Sequence, residues 1–241
     1  MKANLFSRAA GILATPFQSV RLKRDPEKEG KQDSEAVVAY NRTSNWLPFV
    51  LLRFFIIREL KKFHPRGKLL DVGCGPGHLA IDISKRFPGL EVTGLDLLPD
   101  MIAFAEKNKK KASAVNVKFV LGDVASLPYD DEQFDVVVSS LSLHHWENPG
   151  QALGEIHRVL KTGGKLILMD TRRDCRWWFF YGLSFFQKFL TPAAIKRTNG
   201  AVGSIYSSYT STELTGLLDS ASFRNIVVNS NPGWMTALAT K

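Results

Sequence analysis

Cysteine is nearly absent from this sequence. Cys74 and Cys175 are the only two in 241 residues, too few for a disulfide framework, which points to a reducing, cytoplasmic compartment. Neither belongs to a CxxC or Cys/His cluster, so no metal site is expected. Acidic residues are missing from Met1 to Arg24, where Lys2, Arg8, Arg21, Lys23 and Arg24 stand unopposed. That start lacks the serine enrichment of a transit peptide and the long apolar stretch of a secretion signal. A basic surface helix or a mobile terminus remains. Internal repeats and low-complexity segments are absent as well.

The rest of the composition is that of a globular protein, 44% apolar and 23% charged, and the length suits one large domain. A net charge of +9 invites nucleic acid, an anionic membrane or an acidic small molecule as partner. The run DPEKEGKQDS, Asp25 to Ser34, reads as a linker. We therefore divide the chain into a basic segment and cap, 1–45, and a main domain, 46–241, with an insertion at about 172–208.

Trp46 to Phe63 predicts a helix, with Pro48 in its first turn and Leu47, Val50, Leu51, Phe54, Ile57 and Leu60 at helical spacing. Arg53, Arg58 and Glu59 interrupt its apolar surface and argue against a membrane span. It is either buried between a sheet and a cap or lines a greasy pocket. From Lys68 onward, short apolar strands alternate with helices. Strands are expected at Lys68–Val72, Glu91–Leu95, Val117–Leu121, Phe134–Ser139 and Lys165–Met169. Helices are expected at Gly77–Arg86, Asp100–Lys111 and Pro149–Leu160. This alternation indicates an α/β, doubly wound, Rossmann-like fold with a parallel sheet covered on both faces. After an irregular stretch from Arg172, a helix at Ser211–Ser220 and closing strands at Asn225–Val228 and Trp234–Thr240 follow.

The run Leu69-Leu70-Asp71-Val72-Gly73-Cys74-Gly75-Pro76-Gly77 sets a glycine-rich turn at the carboxyl end of a strand, where open α/β sheets bind ligands. The spacing is G-x-G-x-G rather than the G-x-G-x-x-G of a dinucleotide site, and no Gly-Lys-Ser/Thr of a Walker A loop follows. Asp71 is poor company for a pyrophosphate and good company for an ammonium or sulfonium. Asp96 ends the second strand, where a carboxylate can accept from a ribose diol. Asp123 ends the third, where it can accept from an adenine amino group while the Val124 N–H donates to a ring nitrogen. Three acids in register at strand ends point to one shared polar ligand. The competing reading is that each caps the next helix.

These pieces, with TGLDLLPDMI, VKFVLGDVASLPYDDEQFDVVVSS and LHHWENPGQALGEIHRVLKTGGKLILMD, stand in family order from about Lys68 to Asp170. The chain there resembles the class I S-adenosylmethionine-dependent methyltransferases, in the small-molecule branch similar to ubiquinone/menaquinone-type enzymes. Thr162 departs from the family, which has Pro in KPGG. The resemblance implies S-adenosyl-L-methionine as cofactor and a seven-stranded sheet of order 3-2-1-4-5-7-6. It implies that Asp71 with Gly73, Gly75 and Gly77 holds the methionine part, and that Asp96 binds the ribose with Leu97 beside the adenine. Asp123 and Val124 would read the adenine edge, and the Ser140 backbone would take the methionine ammonium.

His144 and His145 follow the fourth strand, where an imidazole could deprotonate an acceptor or merely shape the wall; His144 is the candidate base. His64 and His157 read as surface positions, and His78 as a helix start. Tyr40, Tyr206 and Tyr209 flank the core. Arg176–Leu190, RWWFFYGLSFFQKFL, holds eight aromatic residues between Trp177 and Phe189. It reads as a lid over an apolar acceptor, a membrane-surface helix or a dimer contact. Together with the Trp46–Phe63 helix and the basic start, it favours a small hydrophobic or lipid-like acceptor. The alternatives are a nucleic-acid or protein methyltransferase, or a cofactor-binding partner without catalysis. Ser140-Leu141-Ser142-Leu143 stands where an Asn/Asp-Pro-Pro-Tyr-like tetrapeptide would favour nucleic acid.

Overall fold

Leu69 and Leu70 are neighbours in sequence yet belong to different hydrophobic layers. The computed structural model describes residues 18–25, 34–191 and 200–241, and its centre is a sheet whose two faces are both covered. The strands are β1 (Gly67–Val72), β2 (Leu90–Asp96), β3 (Val117–Leu121), β4 (Phe134–Ser140), β5 (Leu160–Thr171), β6 (Arg224–Ser230) and β7 (Trp234–Thr240). Their order is β3-β2-β1-β4-β5-β7-β6. The first five run parallel, and β7 is antiparallel to both β5 and β6. The fold expected from the sequence is the one observed.

Alternation explains the unbroken apolar runs of the strands. Leu70, Val137, Leu166 and Leu168 face one layer, packed on α5 (Pro149–Val159) and α8 (Ser211–Ser220) through Leu153, Ile156, Leu214 and Leu218. Leu69, Val136, Val138 and Ile167 face the other, packed on α2 (Leu47–Lys61) and α3 (His78–Arg86) through Ile56, Leu60, Leu79 and Ile83. Helix starts follow local chemistry. Proline occupies the first turn of α2, of α5 and of α4 (Pro99–Ala112), where a missing N–H costs nothing. Asn148 caps α5, and Thr210 with Glu213 forms a capping box on α8.

Before the sheet, α1 (Ser34–Thr43) leads into α2. The stretch after Arg172, expected to be irregular, is instead helical: α6 (Trp177–Leu190) and α7 (Gly200–Ser207). Cys175, Phe180 and Ile205 form a small core there, joined by Val20 and Leu22. Residues 18–25 run extended across it as a strap. Val20 N–H donates to the Cys175 carbonyl at 2.9 Å, and Asp25 N–H to that of Tyr206 at 3.1 Å. Arg24 donates through Nε to the Ser207 carbonyl at 2.8 Å and lies 4.2 Å over the Tyr209 ring. The described part of the basic start is thus extended rather than helical. Residues 1–17 of that segment, and 26–33 of the expected linker, lie outside the described residues. No helix among the described residues is long and apolar enough to cross a membrane.

Candidate active site

The strand order reverses between β1 and β4, so the cleft at their carboxyl ends is the ligand position of an open α/β sheet. Asp71 ends β1 almost fully buried. After it the chain folds back on β2, with Gly73 and Cys74 N–H both donating to the Leu95 carbonyl, at 2.8 and 3.0 Å. Two glycines of the turn have different tasks. A Cβ on Gly75, at φ +51°, would meet only Tyr40, at 3.8 Å, so the backbone there opens to the cleft. A Cβ on Gly77, at φ +78°, would sit 2.5 Å from the Phe119 ring and 2.9 Å from Ala105. Glycine at that position serves packing at the start of α3.

Asp71, Gly73, Gly75 and Ser140 line this cleft together with Tyr40 of α1 and with Phe49, Leu52 and Arg53 of α2. Asp96 stands beside it. Its Oδ2 accepts from Gly75 N–H at 2.8 Å and its Oδ1 from Leu98 N–H at 3.0 Å, so it fixes the glycine turn and keeps further lone pairs for a ligand. Leu97, next along, is exposed. Asp123 is exposed, its Oδ1 accepting locally from Ala125 N–H at 2.8 Å, and Val124 is half-buried against the core. These four mark the ends of β2 and β3 without lining the cleft.

Burial pushes the Asp71 carboxyl up to about 8, the nearby Asp96 charge adds to it, and the Ala80 backbone N–H opposes it. Asp71 Oδ2 is buried and has no hydrogen-bond partner among the described residues. Burial also raises Asp96, against the N–H groups of Leu98, Gly75 and Leu97. Tyr40 is pushed up to about 12 by burial and then by Asp96. Burial lowers His78, and the Arg53 charge adds to that.

Arg53 is a residue that the sequence reading treated only as an interruption. Phe49, Leu52 and Arg53 share one face of α2 by their i, i+3, i+4 spacing, and that spacing was the available signal. Its guanidinium is anchored by Asp82 at 2.7 Å and the Ser44 carbonyl at 2.6 Å, which leaves three of its five N–H donors. A cleft holding one acid with an orphan oxygen, one Arg with spare donors and an open glycine backbone fits the ammonium and carboxylate of an amino-acid moiety.

A second arrangement lies past β4, in the short 3₁₀ turn Leu143–His145. His144 Nδ1 and Asp170 Oδ1 are 2.7 Å apart, both residues buried. A carboxylate accepts only, so this contact places the imidazole proton on Nδ1 and the lone pair on Nε2. Asp170, at the end of β5, was not singled out in the sequence. The His145 ring lies 4.0 Å from that of His144 and is pushed down to about 3, first by burial and then by His144. Other candidates lie elsewhere. His64 is exposed, His157 packs edge-on to Phe223, and Tyr206 and Tyr209 meet Phe180 and Arg24 near the strap. Thr162 donates through Oγ1 to Glu132 at 2.7 Å. No group of three or more potential metal ligands occurs among the described residues.

A doubly wound sheet with this cleft at its switch point defines a cofactor-binding α/β domain. The protein-family model described as a methyltransferase domain matches residues 70–168. A demethylmenaquinone methyltransferase of Staphylococcus carnosus is 30% identical over 226 residues, covering 90% of this chain and 93% of that protein. A SAM-dependent methyltransferase from Aquifex aeolicus superposes with a TM-score of 0.66 at 20% identity, covering 87% and 99% of the two chains. Phosphoethanolamine N-methyltransferase 2 of Haemonchus contortus, solved with S-adenosyl-L-methionine, gives 0.65 at 18% identity over 87% and 57%. The chain belongs to the class I S-adenosyl-L-methionine-dependent methyltransferases.

Proposed function

We propose that this methyltransferase acts on a small apolar acceptor carrying an ionisable hydroxyl, such as the reduced, quinol form of the demethylmenaquinone named for its relative, and meets it at a membrane surface. The observation that carries the acceptor class is the placement of Phe49 and Leu52 on the same cleft as Asp71 and Gly75. One wall of the site is polar strand ends and the other is the inner face of α2, where Phe49 and Leu52 stand beside Arg53.

S-adenosyl-L-methionine supplies an activated methyl group on a sulfonium. Asp71 takes its ammonium and Arg53 its carboxylate, with the Gly73, Gly75 and Ser140 backbone closing around the methionine part. Asp96 takes the ribose diol, Leu97 packs beside the adenine, and Asp123 and Val124 read its edge. Gly77 supports the turn by fitting against Phe119. His144 accepts the acceptor proton at Nε2, and Asp170 holds the ring and stabilises the imidazolium that results. Alignment accounts for the larger share of the rate, since positioning can lower a barrier by on the order of 7–11 kcal/mol.

The test is methyl transfer from labelled S-adenosyl-L-methionine to reduced demethylmenaquinone and to a panel of apolar phenols, set beside RNA and protein. Transfer to the ring compounds is expected. Labelling of RNA or protein with none of the ring compounds would sink this reading in favour of a macromolecular substrate.

A further inference from the structure

The inner face of α2 lines the cofactor cleft, and its outer face has nothing over it among the described residues. Leu47, Leu51 and Phe54 are 68%, 47% and 53% exposed, and Val50 joins them. Their i, i+3, i+4, i+7 spacing sets all four on one stripe, and Arg58 and Lys61 continue that stripe toward the end of the helix. A second stripe runs down α6, where Tyr181, Phe185 and Phe189 are exposed at i, i+4, i+8 spacing. Aromatic rings bridge the two helices. Trp46, at the start of α2, meets Phe186 edge-on at 6.2 Å. Phe55 of α2 and Phe179 of α6 both pack on Trp234 of β7, at 6.0 and 6.4 Å.

Charge selects the occupant. From Leu47 to Arg58, and from Arg176 to Leu190, there is no acidic residue. Arg58, Lys61 and Lys62 stand exposed at the end of α2, and the whole chain carries a net +9. Exposed apolar side chains, aromatic rings among them, with a basic margin in which the Glu59 carboxylate is buried and paired with Arg58 and Lys62, match the interface of an anionic bilayer. We propose that the joint outer face of α2 and α6 docks on an anionic lipid surface, with apolar side chains in the acyl boundary and Arg58 and Lys61 at the headgroups. One helix then has two duties, since Phe49, Leu52 and Arg53 on its other side face the cleft. An apolar acceptor leaving the lipid has only the thickness of α2 to pass. This purpose rests on the apolar-acceptor reading, while the face itself does not. Vesicle binding reads the face and the acceptor panel reads the site, so the two fail separately.

The experiment is flotation of the full chain with vesicles of phosphatidylcholine alone and with about one-third phosphatidylglycerol. Binding to the anionic vesicles, weakened by salt, is expected, with part of the tryptophan fluorescence quenched by lipids brominated in the acyl chains. Phe54→Glu combined with Phe185→Glu should lower partitioning at least ~10-fold. Val115→Glu, at a site 91% exposed and elsewhere on the surface, should leave it unchanged. S-adenosylhomocysteine affinity should be the same in all three proteins, showing that the fold persists. Absence of wild-type flotation with anionic vesicles would overturn the proposal, and so would undiminished flotation of the double variant. A dimer that Phe54→Glu dissociates, with no vesicle binding, would overturn it in favour of a second copy of the chain.

Discussion

Asp170 grips His144 twice: Oδ1 faces Nδ1 at 2.7 Å, and Oδ2 accepts the His144 backbone N–H at 3.0 Å. Ring plane and backbone are fixed by one carboxylate, itself held by Thr171 N–H at 2.7 Å. If the pair acts as base and orienter, Asp170→Asn and His144→Gln each lower kcat by on the order of 10²–10⁴-fold while S-adenosylhomocysteine affinity is kept. The pH–rate profile should lose its lower limb in His144→Gln. An effect confined to KM, with that limb intact, would make the pair part of the pocket wall.

If Asp71 holds the cofactor ammonium as proposed, it couples cofactor binding to pH. Its carboxyl titrates at about 8 in the folded protein against an ordinary value of 3.8. Between those values the unfolded chain has released a proton that the folded chain keeps. The stability this group contributes is therefore complete below pH 3.8, declines as pH rises and is lost above about 8. Asp71→Asn should remove that slope from urea titrations. Because pairing with an ammonium needs the carboxylate, S-adenosyl-L-methionine affinity should climb with pH and level off near 8. Binding near neutrality should release a proton, seen by calorimetry in buffers of different ionisation enthalpy. Affinity flat across this range, with no proton released, would show that Asp71 binds nothing cationic.

Asp96 organises the glycine turn as well as offering acceptors to a ligand. Asp96→Ala is expected to weaken S-adenosylhomocysteine binding by at least ~1.4 kcal/mol, a factor of ten. Asp96→Asn keeps acceptor oxygen at one position and should fall between the two. Thermal unfolding beside the titration separates loss of the turn from loss of the ribose contact.

The two glycines facing opposite ways should fail in opposite assays. Gly77→Ala drives a methyl into Phe119 and Ala105 and should cost about 1–3 kcal/mol of stability. Gly75→Ala points its methyl into the cleft beside Tyr40 and should show mainly as lost cofactor affinity. Equal losses of affinity at similar stability would put both positions against the ligand.

The sheet was legible because its strands are apolar on both faces and bounded by turn residues; Val117–Leu121 and Trp234–Thr240 are placed as read. The fifth strand begins earlier than Lys165. A register shift pairs Phe134 with Leu160, and Thr162-Gly163-Gly164 breaks the apolar run before Lys165. Helix α6 was only one of three readings of its segment, because a run such as WWFFY hides any period. Its exposed stripe exists only once the inner rings Phe179 and Phe180 are seated on Trp234 and Tyr206. Arg53 and Asp170 were missed for a different reason. Their partners, Asp82 and His144, lie 29 and 26 positions away, and no local spacing reports a contact between separate elements.

The strap has a consequence for the order of assembly. Arg24 meets the Ser207 carbonyl across 183 positions of chain, so the strap waits for a segment synthesised 183 residues later before it has a seat. Closing so long a loop is entropically slow relative to neighbouring strand pairings. The strap therefore settles after the sheet has formed. Deletion of residues 18–25 would first disturb α6 and α7, two helices far along the chain from the strap.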